Sequence, residues 1–62
     1  MTLAQRHALI DRAVHSVSRA FPCASNETLF DLASATLARE HGLVVTPTEI
    51  ERVLSQLAEA AL

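Results

Sequence analysis

The sequence has one cysteine, one glycine, two prolines and no tryptophan or tyrosine. A lone Cys23 excludes an intrachain disulfide. A lone Gly42 excludes a glycine-rich phosphate loop. With Phe21 and Phe30 as the only large rings, Ala, Leu and Val must do the packing. No apolar run approaches the roughly 18 residues of a membrane span, and "MTLAQRH" puts polar and charged residues where a secretory signal carries its apolar stretch. These features predict a soluble cytoplasmic protein with Cys23 reduced and no membrane partner. An excess of positive charge is missing too. The net charge is −2 with histidine neutral, so no basic field draws the chain onto phosphate, and nucleic acid is a disfavoured partner.

What is present is half hydrophobic and short, 62 residues that make one helical domain, 1–62. Ordering such a chain costs on the order of 90 kcal/mol at about 1.5 per residue. Burying roughly 5,800 Å², about 60% of it apolar, returns about 88 kcal/mol at about 25 cal/mol per Å². The sum is near zero. Small chains escape that balance with disulfides, metals or partners, and the composition predicts a homo-oligomer, a dimer, with room for a second protein partner.

Two breaks, "FPCAS" and "HGLVV", cut the chain into three helical segments. Thr2 and Gln5 fit a capping box for a first helix over about 3–21. Pro22 ends it by pushing its neighbour out of helical geometry. Ser25 or Asn26 caps a second helix over about 26–41, with Glu27 in its first turn. Gly42 closes it, with Leu43 folding back on Ala38 or Leu37 as in a Schellman motif. Thr46, Pro47 and Glu49 then stand at the cap, first and third positions of a third helix over about 47–61, and Val45 and Ile50 fit a hydrophobic staple.

Periodicity at about 100° per residue assigns the faces. In the first helix Leu3, Leu9, Ile10, Ala13, Val14, Val17, Ala20 and Phe21 share one arc, opposite Asp11, Arg12, His15 and Arg19. In the second, Leu29, Leu32, Ala33 and Leu37 are bordered by Phe30. In the third, Ile50, Val53, Leu54, Leu57, Ala58 and Ala61 form a stripe backed by Glu49, Glu51, Arg52, Ser55 and Glu59. Short loops bring neighbouring helices together antiparallel, so the expected fold is all-α, a three-helix bundle or an open three-helix array.

The corner "TLAREHGLVVTPTEIERVL" resembles half of a helix-turn-helix, with Ala38 four residues before Gly42. The second half departs. Thr48 and Glu51 occupy the positions where that motif places branched apolar residues, and Ile50 and Val53 come two residues late. The helix so delivered would present Glu49 and Glu51 to DNA, which repels them.

The chemical groups do not form an obvious reaction centre. His7 and His15 lie about 12 Å apart along the helix axis and about 80° around it, so they cannot share an ion. No C-x-x-C, H-x-x-x-H or H-E-x-x-H spacing is present. Glu49, Glu51 and Glu59 fall on an outward face, as do Glu27 and Asp31 on another, and solvated carboxylates keep ordinary acidity. The expectation is no enzyme, no cofactor and no metal.

A sharper pattern is Leu3, His7, Ile10, Val14, Val17, Phe21, which alternates steps of four and three, the coiled-coil period. It packs either within the chain or, in part, on a second copy, together with the Leu29–Leu32 edge. Leu3, His7, Ile10, Val14, Val17, Leu29 and Leu32 are therefore the candidate partner interface. His7 buried in the seam would loosen the contact on protonation; at a frayed edge its ring sits in water. Arg12, His15 and Arg19 form a row suited to an anion or an acidic partner, or a solvated face. The expected function is a small helical protein–protein interaction module, a homodimeric regulatory or adaptor protein. The alternative is a helix-turn-helix-like DNA-binding regulator.

Overall fold

A computed structural model describes residues 1–60. It contains three helices in the order α1 (Leu3–Ala20), α2 (Asn26–His41) and α3 (Pro47–Ala60). All three touch one another, α1 and α2 most extensively, in a body of 32 × 20 × 17 Å. The fold is the expected all-α three-helix arrangement. No helix among the described residues is long and apolar enough to cross a membrane. The last residue expected in the third helix and its stripe, Ala61, lies outside the described residues.

Local chemistry sets each boundary. Thr2 and Gln5 close a reciprocal box: the Gln5 N–H donates to the Thr2 hydroxyl at 3.1 Å and the Thr2 N–H donates to Gln5 Oε1 at 2.8 Å. Two donors that the first turn of α1 cannot satisfy internally are thereby paired. Before Pro22, Phe21 leaves helical geometry at φ −130°, so α1 ends one residue earlier than expected, at Ala20. Ser25, not Asn26, caps α2, its hydroxyl accepting from the Thr28 N–H at 3.2 Å.

Gly42 turns left-handed at φ 61°, ψ 26°, a conformation that costs an L-residue steric energy. Its N–H donates to the Ala38 carbonyl at 3.1 Å, and the Leu43 N–H reaches the Leu37 carbonyl at 3.2 Å. This is the simpler left-handed cap with one wider bond added, rather than the expected Schellman pair. It folds Leu43 into the core. Thr46 and Glu49 repeat the box at α3: the Thr46 N–H donates to Glu49 Oε1 at 3.0 Å, and the Glu49 N–H to the Thr46 hydroxyl at 3.3 Å.

The core joins Ile10, Ala13, Val14 and Val17 of α1, Leu29, Ala33 and Leu37 of α2, Leu43 of the loop, and Ile50, Val53 and Leu54 of α3. Leu9, Phe30, Leu32, Val45 and Leu57 pack partly buried around it. Among the described residues no polar or charged residue is buried as a whole. The Ser34 hydroxyl is a buried oxygen without a hydrogen-bond partner. Because the buried set of α1 stops at Ile10 and Val17, its ends project beyond the core. Leu3, Ala20 and Phe21, expected on the buried arc, are exposed, as is Ala58 of the α3 stripe.

Candidate functional site

The only side-chain ion pair among the described residues joins α1 to the start of α3. Arg6 presents two nitrogens to one carboxylate: Nε donates to Glu49 Oε2 at 2.7 Å and a terminal nitrogen donates to Oε1 at 2.8 Å. A terminal nitrogen of the same guanidinium also donates to the Val44 carbonyl at 2.7 Å. This fork is the strong form of an ion pair. The Arg6 hydrogen bond, and next the Thr46 N–H, pull the Glu49 carboxyl from 4.5 down to about 2; the same bond raises the Arg6 guanidinium. Glu49 was expected on an outward, solvated face with ordinary acidity. That expectation is corrected: Glu49 is half-buried between its own cap and the Arg6 fork. Glu51, Glu59, Glu27 and Asp31 do face solvent.

The expected partner interface divides in two. Ile10, Val14, Val17 and Leu29 lie in the chain's own core, so the middle of the seam meets α2 and α3 rather than offering itself to another molecule. Leu32 is half-buried against that core. Leu3 and His7 keep accessible surface, Leu3 at 68% and His7 half-buried. Leu3 stands one turn before Arg6, and Arg6 holds the backbone of Val44, which is 82% exposed. Met1, 75% exposed, lies at the same end. Arg6 therefore links the start of α1, where Leu3 is exposed, to the exposed Val44, while Met1 lies around the helix beside Gln5, Ala8 and Arg12. Phe21, about half-exposed, is at the other end of α1.

The row Arg12, His15, Arg19 is intact and fully on the surface. With Ser16 and Ala20, also of α1, it borders an open surface depression of about 390 Å³. A second open depression, about 350 Å³ and bordered by Met1, Gln5, Ala8, Leu9 and Arg12, adjoins it at Arg12. Asn26, Glu27, Phe30, Pro47, Glu51 and Leu54 border a groove of about 260 Å³ between α2 and α3, and Arg12 also lines a recess with Glu40 and His41 of α2.

Cys23 is an exposed free thiol. Among the described residues no three His, Cys, Asp or Glu side chains gather as a group able to hold a metal ion. No family model, curated protein or solved structure matches the chain.

Of these features, sequence reasoning had named the basic row and Leu3. It missed Arg6 and Val44. Arg6 carries no local signal, because its partner lies 43 residues away. Val44 is one of three successive apolar residues in the turn, and only its neighbours Leu43 and Val45 pack inward, a difference that the sequence does not mark.

Proposed function

We propose that this chain is a small helical protein–protein interaction module, a homodimeric regulatory or adaptor protein without catalytic activity. The observation that supports it is the exposure of Leu3 near the start of α1 and of Val44, whose carbonyl is held by Arg6 of α1. Both side chains stay outside the core of eleven buried apolar residues found among the described residues. Exposed apolar surface of this kind is what association covers. The half-buried His7 stands beside it, on the Leu3 side of α1. The same reading sets the protein in the cytoplasm, where exposed Cys23 stays a thiol.

Sedimentation of the full chain over a wide concentration range tests the proposal. The expected result is a mass near twice 6.7 kDa, falling to the single-chain value in a Leu3→Ser/Val44→Ser variant. A single-chain mass at all concentrations sinks it. Repeating the run from about pH 5 to 8 examines His7, since a protonated imidazole near the contact weakens it.

One observation favours a second reading, a DNA-binding regulator: Arg12 and Arg19 have no ion-pair partner among the described residues. Against it, three basic groups are few beside the roughly six to ten phosphate contacts of a DNA binder. Glu51 also stays exposed at the start of α3. A steep salt dependence of binding to non-specific duplex supports this reading; no binding at low salt removes it.

A further inference from the structure

The three helices are not started equally well. The first backbone bond of α1, from the Arg6 N–H to the Thr2 carbonyl, is 3.0 Å long, and that of α2, from the Leu29 N–H to the Ser25 carbonyl, is 2.9 Å. Their counterpart in α3, from the Ile50 N–H to the Thr46 carbonyl, is 3.5 Å, longer than the roughly 2.7–3.2 Å of an ordinary amide bond. The capping bond of α3, from the Glu49 N–H to the Thr46 hydroxyl, is long as well at 3.3 Å. The first turn of α3 is thus held weakly by its own backbone.

Its firm bonds come from outside. Arg6 of α1 donates to both oxygens of Glu49 and to the Val44 carbonyl at 2.7 to 2.8 Å, and such charge-assisted bonds are the strong ones. The Glu49 oxygen that takes the terminal nitrogen of Arg6 also accepts the Thr46 N–H at 3.0 Å and the Thr46 hydroxyl at 3.2 Å. Among the described residues no other side-chain hydrogen bond ties this corner to α1 or α2. On either side stand fixed points, Leu43 in the core and Ile50 wholly buried. Between them only Val45 packs partly inward, so releasing residues 44–49 uncovers little apolar surface.

The geometry points to a latch: the Arg6 guanidinium holds residues 44–49 as one unit, and when it lets go of Glu49 and Val44 that corner opens while α1, α2 and the rest of α3 stay docked. Local openings of this kind take place in contiguous cooperative segments, and here a single side chain sets the limits of the segment. Closing the latch fixes the loop with Leu43 and Val45 inward and Val44 outward, and sets Val44 in register with Leu3, one turn before Arg6 on α1. If Leu3 and Val44 meet a second copy, the latch pre-forms that surface and spares association the cost of ordering it. That consequence rests on the reading proposed above, whereas the latch itself is a property of the single chain.

Amide hydrogen exchange of the full chain, followed by NMR at a concentration where it sediments as a single copy, is the test. In the native chain the Thr46, Glu49 and Ile50 amides should share one protection factor, lower than that of Val14 and Ala33 in the middle of α1 and α2. Low urea should barely change it, because little surface is exposed on opening. Arg6→Met, which keeps a good helix former, should lower the protection of all three amides by one common factor of at least about five. Arg6→Lys, which keeps the charge without the fork, should lower it less, and it decides alone if the methionine variant does not fold. Three results overturn the latch. Separate protection factors for the three amides mean that they do not open as a unit. Unchanged protection on replacing Arg6 means that the turn frays without it. Native protection equal to that of Val14 and Ala33 means that the corner opens only when the whole chain unfolds.

Discussion

Arg6 and Glu49, 43 residues apart in sequence, meet through two hydrogen bonds of 2.7 and 2.8 Å, and the same carboxylate accepts the N–H of Thr46 at 3.0 Å. One side chain therefore both starts α3 and fastens α3 to α1. The folded state holds the Glu49 carboxyl at about 2, below its ordinary 4.5. A group depressed on folding stabilises the protein fully above its ordinary value, and that contribution is lost as pH falls through the folded value. Between pH 4.5 and 2 the urea midpoint of the native chain should fall more steeply than that of Glu49→Gln, which has no proton to take up there. Parallel curves for the two proteins would show that the pair does not act in this window.

Gly42 offers a cleaner measurement. A Cβ built at this position meets nothing within 4 Å, so replacing it tests the φ of 61° alone. Gly42→Ala should destabilise by about 1 kcal/mol, and Gly42→Asn by less, because asparagine tolerates the left-handed region. Equal losses for both, read from urea unfolding, would point to a contact rather than a backbone preference.

The two halves of the α1 seam should respond differently. Ile10 is wholly buried, and Ile10→Ala is expected to cost about 2–5 kcal/mol, a large share of the roughly 3–9 kcal/mol available to a chain of this size. It should melt the monomer. Leu3→Ser should leave the cooperative melt of the single chain nearly unchanged and act on association instead. Thermal melts at a concentration where the chain sediments as a single copy separate the effects, and a large loss for Leu3→Ser there would place Leu3 in the core after all.

Ser34 is the one place where a substitution should help. Its hydroxyl is buried without a partner, which costs desolvation energy, and serine is a weaker helix former than alanine. Ser34→Ala is expected to raise stability by about 1 kcal/mol. A loss of stability would mean the hydroxyl does find a partner.

What the sequence revealed about this fold was what neighbouring residues decide among themselves. Thr2 with Gln5, Thr46 with Glu49, and Gly42 after α2 are signals spanning three or four positions, and each fixes a boundary within a residue. The stripes of α1 and α3 were legible because a helical period survives without knowledge of the partner. The partner itself was not. Ile10, Val14 and Val17 have a spacing equally suited to a second copy and to α2 and α3, and only the folded chain assigns them to itself. Arg6 was hidden for the same reason: an arginine one turn into a helix looks alike whether it meets water or a carboxylate brought from the far end of the chain. The basic row Arg12, His15, Arg19 was legible because its spacing of three and four keeps it on one side of α1.

Ala33, wholly enclosed at the heart of α2, sets the gauge of the whole assembly. Its methyl group is the spacer there, and a close-packed interior has no slack to accept a wider one. A leucine in its place would act as a wedge, prising α2 from its neighbours, so the tightness of this small protein depends on the modesty of one of its least conspicuous side chains.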